Sequence, residues 1–128
     1  MGLDMFLFKR SEGVKKLNEV AYWRKSNQIH NWFVTNCQNG VDECQETRVI
    51  KENLIDLKEA CQAVLSSPDS DRNENAKKIL PTVGGFFFGS TAYGEMYFQD
   101  LEDTIKMLDK VIDETDFDKE EIYYTSSW

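Results

Sequence analysis

Between Tyr93 and Glu114 apolar residues return at Tyr97, Leu101, Ile105, Leu108 and Ile112, with charged side chains between them. This three-to-four-residue spacing predicts a long amphipathic helix, with Ser90 or Thr91 available to cap its start. An apolar stripe of that length must be covered, so the rest of the chain has to supply a layer to pack against it. Residues Leu3 to Phe8 offer one, because Leu3, Met5 and Leu7 alternate with Asp4, Phe6 and Phe8. Such alternation reads as a central or well-covered strand with a second, partly aromatic face.

Ser11 to Lys16 is polar, contains Gly13 and reads as a loop. From Asn18 to Cys37 the spacing of Tyr22, Ser26, Ile29, Phe33 and Cys37 predicts a first helix, stopped by Asn39-Gly40. Residues 45–50 predict a short strand. Lys51 to Leu65 predicts a second helix with Leu54, Leu57, Cys61, Val64 and Leu65 on one side. Asn73 to Leu80 allows one or two helical turns before Pro81, and Gly84-Gly85 breaks the pattern ahead of Phe86-Phe87-Phe88. The tail Glu121 to Ser126 has strand composition and is expected to pair with the first strand. The whole reads as a single α+β domain over residues 1–128, three main helices packed on a small sheet of two to four short strands.

The net charge of −8 is unevenly placed. Residues 1–94 carry 12 Lys/Arg and 12 Asp/Glu, whereas residues 95–128 carry 11 acidic side chains against Lys106, Lys110 and Lys119. Asp100, Asp103, Asp109 and Asp113 on the long helix are therefore candidates for meeting a basic partner, and an exposed Trp32 would anchor one. Like charges repel, so free DNA is not an expected ligand of the acidic end. No apolar run approaches the ~20 residues of a membrane span, and Phe6 stands where a myristoylation signal carries Ser or Thr. Three cysteines in no paired framework, behind an opening Met1-Gly2-Leu3-Asp4 with no cationic and apolar leader, lead us to expect a cytoplasmic setting.

His30 is the only histidine and so the first choice for a general base, with Arg24, Asn27 and Asn31 beside it. The turn Gly89-Ser90-Thr91, followed by Tyr93, lies ahead of the long helix. Arg24, Asn27, His30, Ser90, Thr91 and Tyr93 together make a candidate ligand pocket, in which backbone N–H groups and a hydroxyl meet an anion. His30, Cys37, Cys44 and Cys61 are donors of the kind zinc takes, but no CxxC or HxxxH pair joins them, so neither a metal nor another cofactor is expected. A Cys–His nucleophilic pair lacks a recognisable oxyanion hole.

Met1-Gly2-Leu3-Asp4-Met5, Tyr22-Trp23-Arg24-Lys25 with Asn27, Ile29-His30 and Trp32-Phe33, and Gly85-Phe86-Phe87-Phe88-Gly89-Ser90-Thr91 with Tyr93 resemble a group of small phage and prophage proteins of unassigned function. In phage genomes these often carry the name phosphoglycerate kinase, a much larger two-domain enzyme that 128 residues cannot reproduce. In their pattern a residue other than cysteine usually stands at the position of Cys37, which argues against zinc. The resemblance implies phage origin and, by analogy, an accessory factor acting on a host protein or nucleoprotein complex. A CRISPR effector nuclease fits that role, since its basic channel would attract an acidic surface. The alternative is a small-ligand or nucleotide-binding protein or enzyme using the His30 pocket. Oligomeric state is left open.

Overall fold

A computed structural model describes residues 2–85 and 88–128. Its elements run β1 (Asp4–Ser11), β2 (Asn18–Arg24), α1 (Asn27–Cys37), β3 (Thr47–Val49), α2 (Lys51–Leu65), α3 (Arg72–Ile79), α4 (Glu95–Glu114) and β4 (Glu120–Ser127). The strands form one antiparallel sheet in the order β2-β1-β4-β3, and the described residues hold four helices and four strands, an α+β architecture as expected. The N-terminal strand is central, paired on one side with the hairpin strand β2 and on the other with β4. Among the described residues no helix is long and apolar enough to cross a membrane.

Period-two alternation divides the sheet into two faces. Leu3, Met5, Leu7, Ala21, Trp23, Val49, Ile122 and Tyr124 are buried and share the core with the helices. Phe6, Phe8, Tyr22 and Tyr123 point the other way, with Arg10, Arg24 and Arg48 among them. On the core side α4 buries Tyr97, Leu101, Thr104, Leu108 and Val111, a stripe rotated slightly from the predicted one, which leaves Ile105 and Ile112 half-buried. The Trp23 indole donates to the Thr104 hydroxyl at 2.9 Å, tying β2 to this helix. At the far end Lys9 Nζ donates to the Glu114 carbonyl at 2.8 Å, placing a cation on the negative end of the helix dipole.

Two expectations need correction. Asn18 to Arg24 is a strand: Ala21 and Trp23 face the core while Tyr22 lies on the outer face. The apparent helical stripe from Tyr22 to Cys37 spans a strand, a turn and a helix. The turn is made by Lys25 at φ 57°, a conformation usually signalled by Gly, Asn or Asp, so the break carries no residue that announces it. The long helix is not capped by Ser90 or Thr91. Gly94 is its N-cap and supplies no side chain, while Ser90 Oγ accepts from the Ala92 N–H at 3.1 Å in a local turn. Phe86 and Phe87 of the aromatic run lie outside the described residues, as does Met1.

Candidate functional site

The two motifs that stand out in the sequence meet in space. Gly89, at φ +89°, lies against the β2–α1 turn so closely that a Cβ there would come within 3.0 Å of Lys25 Cβ and 3.3 Å of its carbonyl oxygen. Glycine is thus required at this position twice over, by backbone conformation and by space. Asn27 fastens the same loop from below. Its Nδ2 donates to the carbonyls of Phe88 at 3.1 Å and Ser90 at 2.8 Å, and its Oδ1 accepts from the Val83 N–H at 3.1 Å.

Above this junction is a cleft of about 490 Å³ between the β2–α1 turn and the start of α4. Arg24, Lys25 and Ser90 stand on its walls with Met96 and Glu95, while Gln28 and Asp100 lie deeper. Gln28 Nε2 reaches the Tyr97 carbonyl at 3.4 Å and Asp100 Oδ2 at 3.3 Å. Burial raises the Asp100 carboxyl above its ordinary range, outweighing the bonds from Gln28 and Ser26. Arg24 is already engaged, donating from Nη1 to Asp4 Oδ1 at 2.6 Å beside the Tyr22 hydroxyl at 2.5 Å. These two bonds hold Asp4 below the usual carboxylate range.

Of the six residues expected to form a pocket, Arg24 and Ser90 line this cleft and the other four do not. Asn27 is fully buried in the loop fastening just described. Thr91 and Tyr93 turn to Thr82: its Oγ1 donates to the Thr91 carbonyl at 3.0 Å, and its N–H donates to the Tyr93 hydroxyl at 3.0 Å. His30 is 0% exposed. The Tyr124 hydroxyl is 2.6 Å from its Nδ1, and Asp42 Oδ2 lies 2.9 Å from its Nε2, off the line of a hydrogen bond. Phe88 and Tyr124 contribute rings to its walls, and Trp128 Nε1 holds the other Asp42 oxygen at 3.0 Å. A histidine enclosed in this way organises the core and presents no nitrogen to a substrate.

The acidic residues also separate. Asp109 pairs with Lys58 of α2, and Asp100 turns into the cleft. Asp103 accepts from Gln99 and remains exposed, as does Asp113. Trp32 is half-buried edge-on against Phe33 in a shallow groove beside Lys78 and Pro81. Cys61 is buried among the α2 core residues, and burial pushes its thiol up to about 12 and that of Cys37 up to about 11. Both are protonated near neutrality, in the form that neither attacks nor ligates. Among the described residues no group of three or more His, Cys, Asp or Glu is placed to hold a metal ion.

Sequence reasoning passed over Lys25, Gln28 and Asp42. Lys25 and Gln28 flank residues that were singled out, but the turn that brings them to the cleft was hidden inside the predicted helix. The position of Asp100 gives a pH prediction. Its folded value is raised above the ordinary 3.8, so the favourable contribution is present below that value and is lost as pH rises through the folded one. Asp100→Asn is therefore expected to raise the Tm near pH 7 and to give a smaller gain below about pH 4, measured by thermal unfolding of both proteins across that range. Compared with known proteins, the chain matches no family model, no curated protein and no solved structure.

Proposed function

We propose that this chain is a phage-encoded accessory protein that binds and inhibits a host defence factor, an anti-CRISPR-like inhibitor whose acidic helical layer competes with nucleic acid. The supporting observation is the acid excess of the helical layer, where α2 and α4 carry ten Asp/Glu against Lys51, Lys58, Lys106 and Lys110. Glu102, Asp103, Asp113 and Glu114 are exposed on α4, and Glu52, Asp56 and Glu59 are exposed on α2, which packs against it. The arginines Arg10, Arg24 and Arg48 lie on the opposite face of the sheet, paired with Asp4 and Glu121. A basic nucleic-acid channel would be drawn to the helical side by long-range attraction that salt weakens.

The test is cleavage of target DNA by a purified host CRISPR effector ribonucleoprotein with this protein added. Inhibition is expected at low salt, with at least about tenfold more protein needed after combining Glu102→Lys, Asp103→Lys and Asp113→Lys, because like charges then face each other. Circular dichroism checks that the fold is retained. Cleavage unaffected by the wild-type protein, or inhibition indifferent to the three reversals, would sink this reading. A second reading, a small-ligand or nucleotide-binding protein, is favoured by the cleft that Arg24 and Ser90 share with Gln28 and Asp100.

A further inference from the structure

The cleft between the β2–α1 turn and α4 has two chemically different ends. At its mouth, the N–H groups of Glu95, Met96 and Tyr97 open the 20-residue helix α4, and among the described residues none of them donates a hydrogen bond. Unpaired donors at the positive end of a helix dipole favour an anion. Lys25 lines the same cleft, set there by its left-handed backbone and lying against Gly89. The Ser90 hydroxyl is also on this wall; its oxygen accepts from Ala92 N–H, which leaves its proton free to donate. Glu95 is the carboxylate at the mouth, and its side chain is exposed.

The inner end recognises a different kind of group. Gln28 lines it although only 3% of the residue is exposed. Its amide nitrogen makes two long contacts, at 3.3 and 3.4 Å, and its carbonyl oxygen accepts no hydrogen bond from a described residue. An amide oxygen with no protein donor is free to accept from a ligand in the cleft. Asp100 lies next to it, and burial favours its protonated form, which donates as well as accepts. Tyr97 and Met96 add apolar surface between the two ends. An amide and a carboxyl side by side offer a mixed donor and acceptor edge, the complement of a heterocyclic base.

We propose that this cleft binds a nucleotide, with the phosphate at Lys25, Ser90 and the first turn of α4 and the edge of the base at Gln28 and Asp100. The proposal rests on the small-ligand reading and narrows it to one chemical class. It uses a different surface from the acidic face of α4. The volume of about 490 Å³ falls within the range of roughly 300–1,000 Å³ typical of small-molecule sites.

The experiment is calorimetric titration of the full chain with AMP, GMP, CMP and UMP, and with ribose 5-phosphate and inorganic phosphate as partial ligands. At least one nucleotide is expected to bind about tenfold or more tightly than ribose 5-phosphate. Lys25→Gln should weaken that nucleotide by about tenfold, the loss of one charge-assisted contact. Gln28→Ala should bring the nucleotide down to the affinity of ribose 5-phosphate. If Gln28→Ala does not fold, Asp100→Asn keeps the shape of the floor and should change the order of preference among the four bases. Lys119→Gln, remote from the cleft, should leave binding unchanged. Equal affinity for ribose 5-phosphate and every nucleotide overturns the nucleotide assignment while leaving a phosphate-binding cleft. Nucleotide binding unaffected by Lys25→Gln places the ligand elsewhere and overturns it too. No binding of any of the six compounds overturns the assignment and leaves the small-ligand reading to compounds without a phosphate.

Discussion

Tyr124→Ala is expected to destabilise the protein by about 4 kcal/mol, a large share of what a domain of this size has to lose. Tyr124 is fully buried on the core face of β4, opposite Leu7 of β1 and Thr47 of β3. Its ring stacks on Phe33 of α1 with centroids 3.9 Å apart and planes inclined by 12°, so it joins the sheet to the first helix. Truncation removes that contact and leaves a cavity bounded by a four-stranded sheet that has little freedom to collapse. Tyr124→Phe isolates the hydroxyl and should cost only about 1–2 kcal/mol, because the ring remains and His30 Nδ1 alone is left without its partner. Burial, and after it the nearby Asp42, hold the Tyr124 hydroxyl protonated well above its ordinary range, and a neutral hydroxyl can donate to Nδ1 or accept from it. Urea unfolding followed by circular dichroism measures both variants, and nitrogen chemical shifts of the imidazole report the tautomer. A loss below about 1 kcal/mol for Tyr124→Ala, under the range for a buried aromatic, would mean that the stack is not the joint described here.

Periodicity located the elements whose burial is one-sided and uninterrupted. α2 begins and ends where the spacing of Leu54, Leu57, Cys61 and Val64 places it, because one continuous stripe faces the core. β4 was legible from its composition, and its pairing with β1 follows from two strands each needing a neighbour. The stretch Asn18 to Arg24 was not legible, since Tyr22, Ser26, Ile29, Phe33 and Cys37 hold a helical interval by coincidence and the intervening turn uses Lys25 in place of glycine. The same missed turn concealed the cleft. Read as one helix, Arg24 and Gln28 are merely one turn apart; with the chain reversing at Lys25 they become two walls of a concavity whose third wall is α4. His30 was found as an unusual residue, but its role depends on Asp42 and Tyr124, which come from a loop and a distant strand and leave no local trace in the sequence.

Asn27 tests whether the cleft depends on the loop beneath it. Asn27→Ala is expected to cost about 1–3 kcal/mol, since it takes the partner from the buried Phe88 carbonyl and from the part-buried Val83 N–H and Ser90 carbonyl at once. The damage should be local first. Residues 82–85 and 88–92 lose their fastening to α1, so limited proteolysis within those stretches should accelerate more than global unfolding does. Asn27→Asp separates hydrogen bonding from shape. Its first oxygen can still accept from Val83 N–H, but the group replacing the amide faces the carbonyl oxygens of Phe88 and Ser90, which lie 3.1 and 2.8 Å from Nδ2 in the wild type. A carboxylate is repelled there and poorly solvated, so its folded pKa must rise above its unfolded one. The variant therefore keeps most stability below the unfolded value and loses it as pH climbs through the folded value. Its deficit against wild type should be small in mild acid and grow toward neutrality, where it should match or exceed that of Asn27→Ala. Denaturant unfolding of all three proteins at several pH values decides the matter. A deficit for Asn27→Asp that does not change with pH would show that the side chain escapes to solvent, and that the loop is not held from below in the way the wild-type bonds describe.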